Sequence, residues 1–207
     1  MGPHSAREVL TSLSFQERHH VVSIMAEVTL AELRALSPGA ASASRVLALP
    51  SVARGGAPLP VFPATEAVEA LFGQRNSLIV AQSEQELLTF WSITGLLSSV
   101  LTVGRVAAQW LEHSGIDKER AEAYSRILFS EVHALTEAGF DAGLEDVSTP
   151  GGLNVMMRER LLRAGTKEQL SEGLDDIKQR LFRNIDTPDG NAAPALRLSD
   201  PEPHGTD

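Results

Sequence analysis

Between Leu87 and Gly104 the chain carries no charged residue. Ser83, with Glu86 three places on, has the pattern of a helix capping box, and Gly115 stands where a left-handed cap would end the helix. One long helix is therefore expected over residues 83–115. Its large apolar residues, Leu88, Trp91, Leu96, Leu97, Val100 and Val103 among them, fall on every side rather than along one stripe. A helix apolar all round is either a membrane span or the centre of something larger. Six hydroxyl residues and two glycines interrupt the run, and neither end carries a basic cluster or an aromatic belt, which argues against a membrane. A chain of 207 residues has little else with which to wrap such a helix. Burial against a second copy of the chain, between Leu87 and Leu111, is the expected solution: a homodimer.

Composition narrows the rest. The chain is 43% hydrophobic and 22% charged, ordinary for a globular protein. It has no cysteine, so disulfides, a thiol nucleophile and a cysteine zinc site are excluded. The formal charge is −9, and residues 186–207 hold five acids against one arginine, so the body is only mildly acidic and nucleic acid is not an expected partner. No apolar stretch follows basic residues at the start, which points to a cytoplasmic protein. His19 and His20 precede a strand, and His113 and His133 lie on helices without a carboxylate at ligand spacing, so no metal is expected.

Taken in order, residues 1–82 alternate helix and strand. A short amphipathic helix over 6–13 precedes a near-continuous apolar strand, Val21 to Met25, of the kind covered on both faces in parallel sheets. Thr29 and Glu32 open a helix that Pro38 and Gly39 close, and residues 45–49 form a second strand. Residues 50–63 hold four prolines and the Gly55–Gly56 pair, predicting an extended, partly stiff loop. Thr65 caps a helix to Gly73, and residues 77–81 form a third strand. Strands joined by helices imply parallel pairing. Three strands leave the apolar edge at Val21 bare, which natural sheets avoid. The expectation is that the chain is the later part of a longer doubly wound layer.

Beyond the long helix everything is helical. Asp117 caps a helix to Ala138 with Tyr124, Leu128, Val132 and Leu135 on one face, and Gly139–Phe140 has the pattern of a Schellman stop. Further helices follow over 153–164 and from Thr166, the last with Leu170, Leu174, Ile177 and Leu181 as its seam. Arg158, Glu159, Arg160 and Arg163 are expected to face solvent. The Pro-, Asp- and Gly-rich stretch 186–207 is expected to be a disordered acidic tail. The predicted fold is a partial Rossmann-like α/β layer over 1–82 and an all-α helical dimerisation domain over 83–185, predominantly α overall.

Several of these pieces, in this order, resemble pyrroline-5-carboxylate reductase. They are Val21-Val22-Ser23-Ile24-Met25-Ala26, the strand ending at Leu49-Pro50, Glu84-Gln85-Glu86-Leu87 with the long helix, and Ala138-Gly139. Thr149-Pro150-Gly151-Gly152 before a helix is the most specific of them. The family reduces a cyclic imine to proline with NADPH or NADH, and its C-terminal helices interlock between two subunits. The resemblance implies NADP or NAD as cofactor, Ala26, Pro50 and Ser51 on the cofactor side, and Thr94, Gly95, Thr149, Gly151, Gly152 and Asn154 around the substrate. It gives no catalytic residue for this chain.

Departures from the family accompany the match. No G-x-G-x-x-G follows any strand, so these 207 residues are expected to bind the nucleotide poorly. Two threonines that usually follow the glycines are Leu153 and Asn154 here. A Ser-Gly-Ser-Gly-Pro-Ala run is replaced by Thr94-Gly95-Leu96-Leu97-Ser98-Ser99. Ser51 stands where asparagine is usual, and Leu47 where arginine is common. Two readings follow: an imine reductase with a drier pocket, or a catalytically silent dimerisation module derived from one.

Overall fold

The computed structural model describes residues 3–186 apart from residue 26. Four strands form one sheet in the order β1-β2-β3-β4: β1 His20–Ser23, β2 Ser42–Val46, β3 Pro58–Phe62 and β4 Ser77–Val80. Three strands, all parallel, were expected. The extra one is β3, inside the proline-rich stretch read as loop, and it runs antiparallel to β2, so the sheet is mixed. The second strand also begins three residues earlier than predicted and ends at Val46. β1 is shorter than its apolar run, and Ile24 beyond it is exposed.

Pro58 and Pro60 are tolerated in an interior strand because alternate residues point their backbone polar groups the same way. The Ser77 and Ala81 amides donate to the Ala57 and Val61 carbonyls, each at 3.0 Å, so the odd-numbered residues of β3 serve β4. Both prolines face β2 instead, where Pro60 needs only its carbonyl, which accepts from the Leu47 amide at 3.0 Å. The cost is a short β2–β3 ladder, Arg45 opposite Phe62 and Val46 opposite Val61.

The helices of this layer are α1 Pro3–Thr11, α2 Leu30–Leu36 and α3 Glu66–Val68, which continues as a wide turn over Glu69–Gly73. A 3₁₀ turn at Pro50–Arg54 follows β2. Thr29 and Thr65 cap α2 and α3 by accepting from the Glu32 and Val68 amides. Glu32 does not close its capping box, because its carboxylate pairs with Arg7 of α1. Val28, Leu30, Leu33 and Ala43 form one buried cluster on the α2 side, and Val46, Leu59, Val61 and Val68 another on the α3 side.

The long helix exists in two pieces. α4 spans Glu84–Ser92, a 3₁₀ turn takes Ile93–Gly95, and α5 spans Leu96–His113. Ser83 caps α4 by accepting from the Glu86 amide at 3.1 Å, and Gly115 adopts the left-handed conformation at φ +92°. α4 is the joint of the molecule: Leu87 and Leu88 are fully buried with Leu47 and Ala81, each contributing on the order of 1.5–3 kcal/mol. α6 Lys118–Leu135 folds back on α5 as a helical hairpin, followed by α7 Phe140–Asp146, α8 Leu153–Arg163 and α9 Thr166–Asp186. α9 returns to pack on α4, Leu181 and Phe182 meeting the joint cluster. Gly139 turns out to be the N-cap of α7, and Phe140 is exposed, so the expected Schellman contact is absent.

Within one chain the hairpin is bare. Only Ala108 of α5 and Ala121 and Ser125 of α6 are buried. Leu101 is 74% exposed and Trp110 66%, and Tyr124, Leu128 and Val132, which share one face of α6, are exposed too, as is Leu170 of the seam expected on α9. Glu84–His113 is long and apolar enough to cross a membrane by length and composition, and 17% of its most apolar window is buried. Residues 187–207, most of the expected tail, lie outside the described residues.

Candidate functional site

The residues singled out by sequence fall at three places. Thr149, Pro150, Gly151 and Gly152 form a type II turn: the Gly152 amide donates to the Thr149 carbonyl at 2.8 Å, and Gly151 has φ +72°. A side chain at Gly151 would be strained, which is why glycine stands there. Gly152 is then the N-cap of α8 and offers no side chain, so the leading amides of α8 have no cap. Asn154, in the first turn, is exposed beside them, and Leu153 is 81% exposed. Arg158 braces the turn, Nη1 donating to Ser148 Oγ at 2.8 Å. Arg158 was expected to face solvent; it is half-buried and holds the turn onto its helix.

Thr94 and Gly95 occupy the 3₁₀ turn between α4 and α5. Thr94 Oγ1 donates to the Trp91 carbonyl at 2.7 Å. A Cβ on Gly95 would come within 2.3 Å of Ile177 Cδ1, so α9 packs directly over this turn. Among the described residues no hydrogen bond joins Thr94 or Gly95 to the Thr149–Asn154 region; within one chain these two groups are separate pieces.

Pro50 and Ser51 begin the 3₁₀ turn after β2, at the carboxyl end of that strand, the position at which open α/β sheets present their ligands. Ala26, which the sequence resemblance also put on the cofactor side, lies outside the described residues. A dinucleotide also needs free amides at a helix N-terminus for its pyrophosphate. At α2 and α3, side chains take some of these amides. At α2 the Leu30 amide donates to Glu84 Oε1 at 2.6 Å and the Glu32 amide to Thr29 Oγ1 at 3.1 Å. At α3 the Val68 amide is taken by Thr65 Oγ1.

Sequence reasoning missed one buried polar group altogether. Arg45 of β2 has a side chain with 0% exposure, ion-paired through Nη1 to Glu84 Oε1 at the start of α4. Its Nη2 donates to the Met25 carbonyl at 3.3 Å. The only sign in the sequence is a cation at the head of the apolar run 46–49.

Two surface clefts lie elsewhere. One of about 400 Å³ runs along Arg34, Ser37, Ser42, Pro63 and Thr65. The other, about 530 Å³, follows α9 at Asp175, Lys178, Phe182 and Arg183. Neither is lined by a residue of the three places above, and both are open grooves. The residues singled out by sequence lie at the turns, not in these grooves. No cluster of three or more His, Asp or Glu side chains forms among the described residues.

The arrangement is that of a Rossmann-like layer joined through one helix to an all-helical part. No family model and no curated protein sequence matches the chain. Solved structures do match in fold. A pyrroline-5-carboxylate reductase from Coxiella burnetii is 17% identical, with a TM-score of 0.67 over 87% of this chain and 69% of that one. Plasmodium falciparum pyrroline carboxylate reductase with NADP bound is 12% identical, with a TM-score of 0.73 over 88% and 78%. The 1-pyrroline-5-carboxylate reductase of Streptococcus pyogenes is 17% identical, with a TM-score of 0.69 over 87% and 73%. At these identities the likeness is one of fold.

Proposed function

We propose that the chain is a homodimeric, NAD(P)H-dependent reductase of the pyrroline-5-carboxylate reductase kind, acting on a small cyclic imine that bears a carboxylate. The observation carrying this reading is the fold likeness over 87–88% of the chain to such reductases, one of them solved with NADP bound. The type II turn at Thr149–Gly152 adds the chemistry: uncapped amides at the positive end of α8 suit a carboxylate, and the Asn154 amide adds a donor beside them. Pro50 and Ser51 would lie beside a bound nicotinamide, whose chemistry would be hydride donation to the imine carbon, with water as the proton source for nitrogen. Leu96 and Leu97, in place of polar residues, make the pocket drier and favour a less polar ring. Exposed apolar side chains on α5 (Val103, Val106, Trp110) and on α8 (Leu153, Met156, Met157) support burial against a second copy.

A silent dimerisation module is the second reading. It is favoured by Ile177 closing over Gly95 and by the side chains that take the Leu30 and Val68 amides at α2 and α3. One experiment separates the two. Purified chain is sized by light scattering and assayed for NADPH fluorescence and for NADPH oxidation with pyrroline-5-carboxylate at millimolar nucleotide. A dimer with weak nucleotide binding and measurable turnover supports the reductase. A dimer with neither supports the module, and a folded monomer overturns both.

A further inference from the structure

The carboxylate of Glu84 and the guanidinium of Arg45 meet three separate segments of the chain. Arg45 lies in β2, five residues before Pro50. Glu84 opens α4, which runs directly into Thr94 and Gly95. The same carboxylate oxygen accepts from the Leu30 amide at 2.6 Å, and Arg45 Nη2 reaches the Met25 carbonyl at 3.3 Å. The pair thus holds the two ends of the β1–α2 connection while bridging sheet to helix. The Arg45 side chain is fully buried, and that of Glu84 is 16% exposed.

The remaining contacts at the joint are apolar: Leu47 and Ala81 against Leu87 and Leu88, with Phe90, Trp91, Leu181 and Phe182 around them. Burial of this kind is non-directional and resists separation more than tilt. Hydrogen-bonded charges have a required direction. From Glu84 to Gly95 is roughly 16 Å of helix at 1.5 Å per residue. A tilt of about 5° at the base of α4 therefore moves Gly95 by about 1.4 Å, and a misplacement of ~1 Å can cost an enzyme on the order of 100-fold in rate.

We propose that Arg45 and Glu84 are positioning residues: their ion pair sets the angle of α4 on the sheet, and so the distance between the substrate-side turn at Thr94–Gly95 and the cofactor-side turn at Pro50–Ser51. The role in turnover rests on the reductase reading; the role as a joint does not.

Hydrogen exchange of the full chain without ligand tests the joint, comparing the parent with Glu84→Gln, Arg45→Met and Arg45→Lys. The expected result is exchange about tenfold or more faster at the first turn of α4 in Glu84→Gln and Arg45→Met. Protection in β3 stays unchanged, and Arg45→Lys, which keeps the charge, lies between. Equal acceleration across the sheet, or none anywhere, overturns the proposal. Glu84→Gln keeps an acceptor oxygen for Leu30 and is the variant retained should Arg45→Met fail to fold. In the turnover assay Glu84→Gln is expected to lower kcat by ~10- to 100-fold with KM within about threefold. A parent chain that turns over while the variant keeps its kcat removes the positioning role alone. A parent without turnover removes the reductase reading and leaves the joint to the exchange result.

Discussion

Gly143 and Gly95 both leave no room for a side chain, but against different obstacles. A Cβ on Gly143 would sit 2.1 Å from the Leu135 carbonyl oxygen, a backbone atom at the end of α6 that cannot move without unwinding the turn. A Cβ on Gly95 would meet Ile177 Cδ1, the far end of a side chain that can change rotamer. Gly143→Ala is therefore expected to cost about 2–3 kcal/mol, lowering Tm by roughly 6–10 °C in a chain of this size. Gly95→Ala is expected to cost less than about 1 kcal/mol, since alanine's better helix propensity offsets part of the crowding. Thermal melts followed by circular dichroism check both, and equal losses would contradict the distinction. Ser83 gives a third measure: Ser83→Ala removes the acceptor for the Glu86 amide and should cost ~1 kcal/mol.

At the scale of the element, local chemistry explains where helices start and stop. Thr29, Thr65, Ser83 and Asp117 each cap the helix that their side chains announce, and Gly39, Gly115 and Gly165 each take positive φ at a helix end. These features were legible because a cap is decided within four residues. What was not legible depends on partners distant in the chain. β3 looked like a loop because its prolines forbid a two-sided ladder, and only the neighbouring β4 shows that one side suffices. The break at Ile93–Gly95 has no proline to announce it; it lies where α9 brings Ile177 onto Gly95. Residues 149–152 showed their turn in their sequence, whereas the bond from Arg158 to Ser148 needed the packed helix. That bond predicts that Arg158→Ala loosens the turn, speeding amide exchange over 149–155 by about tenfold, with α9 unaffected.

For the whole molecule, the dominant fact is how much apolar surface one chain leaves uncovered on α5, α6 and α8. Surface of that extent marks an interaction site or an aggregation hazard. Under the homodimer proposal, Val106→Glu places a charge in the apolar contact, and an unpaired buried charge costs several kcal/mol. The expected result is a shift from dimer to monomer at micromolar protein, read by light scattering, with a Tm that ceases to depend on concentration. A Val106→Glu chain that stays dimeric would move the interface off this face of α5.

Pro58 and Pro60 also give the sheet a perforation line. With both prolines turned toward β2, the stitching there is short, while the seam between β3 and β4 is sewn along its length. Stretched or gently warmed, the layer should tear along that line into two parallel ribbons before either ribbon frays.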